Sequence, residues 1–538
     1  MPAPAGSRRR IDRTYDALDL RPVERWIESK AAAEGLRIEQ RLVEERDEAY
    51  LDTEDRRLFR AGLCLRLTEG DGGQIASLES IDPASTVSHR STEPRREEFE
   101  NDALPSLEAS EDLFGGSLWS LKGPRPLGLR VEVHSRIRGI ELRAASGTVW
   151  DIVLEETTIP LGEGETPARL NRVSIGSDTG DSAESSAFTE ELELACALRS
   201  STLTRFQAAV ATLGIERPVP PDLGVARVER SHTVAEAAYA VLRKHLKRML
   251  VEEPGTRLGA DIEALHDMRV AVRRMRAAMR LFRDYLPSRI AGVNRELKWV
   301  GGVLGEVRDL DVHLATLAEW KTELDPQDGP ALDRLRDWLD QRRVVARRRM
   351  IRSLDTRRYE RLVERITSIL RGGPPRRFAP GRAPVLSEAP ELIGGRYDRV
   401  VKLGRKIDKH SPPDMYHRLR IRCKALRYAL EFHGGLYGKA AQRMVDNLVE
   451  LQDLLGEHQD AEVAVAWLRD LMQRRRRRLA PDTAFVAGKL VERYQRTARR
   501  LRARFPRRFD PITGKVWHRL HQIMSRSAGL RAERPSRA

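Results

Sequence analysis

In the first two hundred residues, several short stretches alternate apolar with polar side chains. They are "GLCLRLTE" (Gly62–Glu69), "RVEVHSRI" (Arg130–Ile137), "TVWDIVLEET" (Thr148–Thr157) and "FTEELELA" (Phe188–Ala195). A period of two sends successive side chains to opposite faces. Each stretch therefore predicts a strand with one face in a core and the other in a polar space. A helix is predicted over Pro22–Glu34, with proline in its first turn, and another over Ser201–Thr212. Gly70–Arg96 and Gly176–Ser186, rich in Gly, Ser, Thr and Asp, read as loops.

"ERPVPPDLGVARVER" (Glu216–Arg230) reads as a Pro-rich linker. Beyond it the period changes to 3.6, the mark of helices. "RGGPPRRFAPGRAPVLSEAPELIGG" (Arg371–Gly395) is read as non-helical and as dividing this part in two, and Ser525–Ala538 as a frayed tail. The pattern predicts an α+β multidomain chain. A strand-rich domain (1–216) and a linker (217–228) precede an all-α domain (229–525) and a tail (526–538). The halves of the helical domain, 229–370 and 396–525, are joined by 371–395.

Those halves repeat each other. "LHDMRVAVRRMRAAMRLF" (Leu265–Phe282) and "YHRLRIRCKALRYALEF" (Tyr416–Phe432) align without gaps at a constant offset of 151 residues. His266 falls on His417, Arg269 on Arg420, Arg273 on Lys424 and Arg276 on Arg427. The same offset carries Leu297–Leu317 onto Leu448–Leu468, with Leu304-Gly305-Glu306 on Leu455-Gly456-Glu457 and Asp309 on Asp460. Fifty residues in register indicate an internal duplication. At about 100° per residue, His266, Arg269, Arg273, Arg276 and Arg280 fall within about 80° of one another. Leu265, Met268, Val272, Met275, Met279 and Phe282 fill an adjoining arc. The second copy sets His417, Arg420, Lys424 and Arg427 beside Leu419, Cys423, Leu426 and Leu430.

Charge sharpens this picture. Of the 538 residues, the first 228 carry 29 Lys/Arg against 41 Asp/Glu, and the other 310 carry 67 against 39. The second part is thus the one expected to meet a polyanion. A charged stripe is usually a solvated face. Here, however, no Asp or Glu lies between Met268 and Arg283, and like charges at i,i+4 spacing cost a few tenths of a kcal/mol per pair. That cost recurs in both copies, so an external anion is expected to offset it. "QRRRRRL" (Gln473–Leu479) would cover every side of a helix and reads as mostly solvent-facing. Three scattered cysteines make neither a disulfide framework nor a metal cluster. No apolar core follows the basic start "MPAPAGSRRR", and no run reaches the ~18 apolar residues of a membrane span. No membrane association and a cytoplasmic location are expected.

Nucleic acid is disfavoured as the anion, because aromatic residues for base stacking are scarce and the cations sit on two related helices. A flexible phosphate polymer suits paired guanidinium faces, since arginine binds phosphate oxygens bidentately and a lysine adds a point charge. The two basic combs, with the "LGE" segments that follow them, resemble the two halves of a CHAD domain (conserved histidine α-helical domain) over roughly 229–525. The resemblance implies two pseudo-symmetric helical bundles and a basic groove that binds inorganic polyphosphate. By position, the contacts would be His266, Arg269, Arg273, Arg276, His417, Arg420, Lys424 and Arg427, joined by Arg274, Arg280, Lys298, Arg308 and Arg422. Association with polyphosphate granules is a family expectation. Asp309 and Asp460 are expected to orient arginines.

"YLDTEDRRLFRAGLCLRLTEG" (Tyr50–Gly70) and "FTEELELACAL" resemble strands of CYTH domains, the triphosphate tunnel metalloenzymes, over about 11–216. The resemblance implies an antiparallel, barrel-like β-tunnel whose active members hold Mg or Mn on carboxylates that begin with Glu-x-Glu-x-Lys on the first strand. The metal neutralises phosphate charge and orients the attacking water. Here the expected first strand reads "RTYDALDL" (Arg13–Leu20), and "SLES", with Glu79, stands where the family has a lysine. "RIEQR" (Arg37–Arg41) follows the helix and is excluded as that strand. Glu190, Glu191, Glu193 and Arg66 remain, and Arg136 and Arg138 are expected to line a tunnel. No catalytic residue, metal ligand or cofactor is therefore assigned, with Mg or Mn only if the domain is active. The reading is a polyphosphate-binding protein with a degenerate CYTH-like domain. Two alternatives are a metal-dependent tri- or polyphosphatase whose helical domain recruits substrate, and a nucleic-acid-binding protein. Oligomeric state is left open.

Overall fold

The computed structural model describes residues 13–532, apart from 71–72, 82–94, 100–102, 163, 179–181, 324 and 475–479. The start "MPAPAGSRRR", most of "QRRRRRL" and much of the Gly70–Arg96 segment lie outside the described residues. Two units divide the chain, Met1–Val219 and Pro220–Ala538.

The first unit is built on strands β1 (Arg13–Ala17), β2 (Arg37–Asp52), β3 (Leu63–Gly70), β4 (Gly73–Ser80), β5 (Arg95–Phe99), β6 (Gly128–Arg143), β7 (Val149–Ile159), β8 (Ala168–Ser177) and β9 (Arg199–Ser200). They form one antiparallel sheet in the order β5-β4-β3-β2-β6-β7-β8-β1-β9. Helices α1 (Arg21–Glu34), α2 (Arg57–Arg60), α3 (Ala103–Ala109), α4 (Ser117–Lys122), α5 (Ala183–Ala195) and α6 (Arg205–Thr212) connect or cover the strands.

Helix α1 has Pro22 in its first turn and stops at Gly35, whose φ of 68° suits glycine. Its Val23 and Ile27 meet Ile140, Trp150, Ile152 and Val173 on one sheet face. Phe188 and Leu192 of α5 complete that core, with Phe188 stacked 4.7 Å from Trp150. The segment Phe188–Ala195 is thus helical, correcting the strand expected from its alternation. Ser182 caps it by accepting from the Ser185 amide, and the buried set Ser185, Phe188, Thr189 and Leu192 follows helical spacing. Helix α6 begins at Arg205 rather than Ser201 because Thr204 and Gln207 form a capping box there. It covers the other face, where Phe206, Ala209 and Val210 pack on Tyr50, Val131 and Val133.

Ten helices make the second unit among the described residues. They are α7 (Val234–Leu258), α8 (Ile262–Leu281), α9 (Arg289–Glu323), α10 (Gly329–Leu354), α11 (Arg357–Arg371), α12 (Val385–Gly404), α13 (Pro413–Phe432), α14 (Gly434–Arg474), α15 (Pro481–Phe509) and α16 (Lys515–Ala532). The 151-residue offset reaches beyond the sequence alignment. It carries the start of α7 onto that of α12 and both ends of α8 onto those of α13. Equivalent helices of the two copies also meet, α8 against α13 and α10 against α15. A core of Leu317, Leu335 and Leu339 with Leu468, Val486 and Leu490 joins the copies through positions 151 apart.

Two expectations about this unit are corrected. Val385–Gly395 is helical despite Pro390, because Val385, Leu386, Ala389 and Ile393 bury one face. The Val385 amide also donates to His232 O at 2.9 Å. Helix α16 continues through Ala532, so Ser525–Ala532 is no frayed tail; its Ser527 is buried.

Candidate anion-binding site

On the α6-covered face of the sheet, charged side chains from separate strands converge. Glu48 of β2 is 1% exposed and accepts from Arg66 of β3 at 2.9 Å and from Arg205 of α6 at 2.6 Å. Arg66 also donates to Glu79 at 2.6 Å, and Arg205 to Glu155 of β7 at 2.5 Å. Asp16 of β1 is held by Arg172 at 3.1 Å. Burial works against the Arg205 charge, but its hydrogen bonds to Glu155 and the field of Glu48 hold its pKa above the usual range. Burial likewise opposes the Glu155 charge, and Arg205 outweighs it, so the carboxyl titrates below its ordinary range.

These carboxylates fit a divalent metal poorly. Each faces a guanidinium of its own chain, and among the described residues no group of three or more His, Cys, Asp or Glu stands where it could hold a metal ion. Glu190, Glu191 and Glu193 belong to helix α5 and not to a strand; Glu191 pairs with Lys30, and Glu193 reaches Tyr15 of β1. Arg136 and Arg138 point away too, toward Glu45 and Glu24. Arg66 is the one tunnel candidate that joins the buried network.

In the second unit, Leu265, Met268, Val272, Met275 and Met279 of α8 are buried, as are Leu419, Cys423, Leu426 and Leu430 of α13. The neighbouring cationic arcs meet where these two helices pack. Arg273 Nε donates to Tyr428 Oη at 2.8 Å, from one copy to the other. Burial, with Arg420, Arg273 and Arg427 close by, pushes the Lys424 ammonium down to about 8. Arg269 lies 3.4 Å from Asp309, and Asp460 holds the equivalent place in the fields of Arg420 and Lys424. Gly305 and Gly456 are equivalent as well. A Cβ on either would meet the guanidinium of Arg269 or Arg420 at 3.6 Å, so the "LGE" backbone of each copy lies directly against its comb arginine. Burial and then Arg308 lower the His266 pKa, while burial and Arg280 lower that of Arg276. His417 Nδ1, Arg276 Nε and Arg420 Nε are buried without a hydrogen-bond partner among the described residues. Leaving such groups unmet costs about 1–3 kcal/mol each.

Residues 240–469 match the CHAD domain family. The matched region thus spans both combs and the contact between them. An uncharacterized protein of Mycobacterium tuberculosis (strain CDC 1551 / Oshkosh) is 26% identical over 281 residues, 50% of this chain and 51% of that protein. The chain spans about half the length of the curated relatives it matches. The CHAD domain from the plant Ricinus communis aligns at 23% identity and a TM-score of 0.41, covering 57% of this chain and 96% of that one. HpAC1 from Hippeastrum, an adenylyl cyclase candidate described as having a dominant triphosphatase activity, aligns at 13% identity and a TM-score of 0.25. It covers 38% of this chain and 98% of its own.

Not every residue nominated from the sequence in the second unit joins the combs. Arg273, Arg420, Lys424 and Arg427 come together, and Arg269, Arg276 and Arg280 continue the same arc of α8. Arg308 of α9 lies 3.6 Å from Glu263 at the start of α8 and lowers the His266 pKa through its charge, after burial. Arg422 leaves on the far side of α13 and donates to Arg399 O at 2.9 Å. Arg274 faces Glu431 at 3.0 Å, and Lys298 is exposed on α9. Two participants escaped the sequence reading. Tyr428 carries Arg274 and Arg427 on its ring at 5.4 and 5.6 Å, and its equivalent position is Ala277, so the repeat gave no signal. His313, stacked 5.1 Å from Trp467, feels both Asp309 and Asp460.

Proposed function

We propose that this chain binds inorganic polyphosphate in a groove walled by α8 and α13, and that its first unit no longer hydrolyses triphosphates. One observation carries the binding reading: where α8 packs on α13, Arg273 of one copy stands beside Arg420, Lys424 and Arg427 of the other, and burial together with these charges holds the Lys424 pKa down. The isolated protein bears that repulsion, and a phosphate polymer relieves it along its length. The CHAD match, with the polyphosphate binding that the resemblance implies, supports the same ligand. Cytoplasmic polyphosphate granules are the proposed place of association. No helix among the described residues is long and apolar enough to cross a membrane.

The test is a titration of the full chain with polyphosphate of graded length, with duplex and single-stranded DNA as competitors at fixed salt. Affinity is expected to rise with chain length and fall steeply with salt, as condensed counterions are released. Equal competition by DNA would favour a nucleic-acid function instead.

The crowded lysine predicts a pH dependence. A bound polyanion raises the Lys424 pKa, so binding takes up a proton once pH exceeds the free-protein value of about 8. Affinity is expected to be flat with respect to this group below pH 7 and to fall between pH 8 and 10. Lys424→Arg should flatten that slope, and an unchanged slope in this variant would refute the assignment.

The first unit is expected to release no phosphate from tripolyphosphate or ATP above background with Mg²⁺ or Mn²⁺. The support is the closed ion-pair set of Glu48, Arg66, Glu79, Arg205 and Glu155. Rapid metal-dependent turnover by the purified chain would restore the phosphatase reading.

A further inference from the structure

A cleft of about 890 Å³ opens in the second unit on another side of α8, between α7, the end of α13 and the start of α14. The glycine-rich turn "HGGLYGK" forms one wall, with Gly434, Gly435 and Gly438 lining the space. Helix α14 is broken at Gly438, whose φ of 54° and ψ of −135° favour glycine, and a long uninterrupted helix starts just after it. A Cβ on Gly434 or Gly438 would meet nothing within 4 Å, so the backbone there borders open space.

The remaining walls are of two kinds. Arg227, Lys244, Arg274 and Lys439 line the cleft against one carboxylate, Glu431, which is already shared between Arg274 and Arg427. Val241, Phe432, Ala441 and Val445 supply an apolar patch. Between them lies His245, 6% exposed, with its ring 5.9 Å from that of Phe432. Among the described residues no hydrogen bond to either ring nitrogen is found. On a cleft rich in cations, that imidazole is left for a group lodged in the cleft to meet.

We propose that this cleft is a second site, separate from the polyphosphate groove, for an organic phosphate with an apolar or aromatic body. The phosphate sits at the restarted helix, where backbone N–H groups and the helix dipole favour an anion, between Lys244 and Lys439. The body lies on Phe432 and Val445, and His245 donates to or accepts from it. Burial, with Arg274 and Lys244 nearby, pushes the free His245 pKa down to about 3, so the imidazole enters the complex neutral.

Calorimetric titration of the full chain with ADP tests this, with pyrophosphate and adenosine as separate arms. ADP should bind saturably and more tightly than either. Lys244→Glu combined with Lys439→Glu, both exposed positions, should weaken ADP by about tenfold or more, since two charge-assisted contacts become repulsive. The groove variant Arg273→Gln/Lys424→Gln should leave ADP within about twofold while weakening polyphosphate. The ¹⁵N resonances of His245 should shift with ADP. No saturable ADP binding up to about 5 mM overturns the site. So does loss of ADP binding in the groove variant with retention in the cleft variant. Pyrophosphate binding as tightly as ADP overturns the organic body. Polyphosphate retention, measured on the same samples, reports the groove independently.

Discussion

Replacing Arg273, Arg276, Lys424 and Arg427 together by Glu should abolish retention of long-chain polyphosphate, a loss of at least about a hundredfold in affinity. The four substitutions exchange cations for carboxylates on both walls of the proposed groove. Hydrogen bonds to charged partners contribute about 1.5–3 kcal/mol each, and the replacements add repulsion along the polymer. Tyr428 loses its Arg273 partner, and a carboxylate at 427 faces Glu431, so folding needs its own control. The matching Gln set removes charge without reversing it. It should weaken binding by an intermediate amount and flatten the salt dependence by roughly one counterion per lost contact. Undiminished retention by a folded Glu variant would sink the groove.

The second large effect lies in the first unit. Arg205→Met should destabilise it by about 3–5 kcal/mol, the cost of breaking a buried pair from one side. Among the described residues Arg205 is the guanidinium shared by Glu48 and Glu155, and Glu48, though it keeps Arg66, is buried. Thermal or denaturant unfolding of the full chain should show the transition of this unit moving alone. Adding Glu155→Gln should recover part of the loss, because an amide needs less compensation than a stranded carboxylate. The pH dependence has a fixed sign. Glu155 titrates below its unfolded value of about 4.3, so its contribution is present above that pH and disappears as pH falls through the folded value. The gap between wild type and Arg205→Met should therefore narrow in acid below about pH 4. A loss under about 1 kcal/mol at pH 7 would mean that water already screens the pair.

The sequence made some features legible and hid others for physical reasons. The comb helices were readable because burial and charge fall on separate arcs of one period, and because the pattern occurs twice. Phe188–Ala195 misled because "FTEELELA" alternates on paper, whereas Leu194 is 83% exposed and Phe188, Thr189 and Leu192 are the residues that turn inward. Pro390 misled in the opposite direction, since a buried helix face outweighs one missing amide. The Glu48–Arg205 pair spans 157 residues and belongs to no motif, so only the folded sheet brings it together. Arg274 and Arg422 were nominated through the family resemblance, but each lies well off the arc of its helix that carries the comb.

Tyr428 stands where the first copy has Ala277, and Glu431 where it has Arg280. In an assembly of two identical chains, each substitution would be written on both walls at once. A carboxylate at position 280 would then remove two cations from the ligand's path. Because both walls of the proposed groove belong to one polypeptide, a mutation strikes one wall alone, and the partner wall would shelter it from the full loss of affinity. Linkage in a single chain thus gives the proposed groove room to specialise one wall while the other keeps its cations.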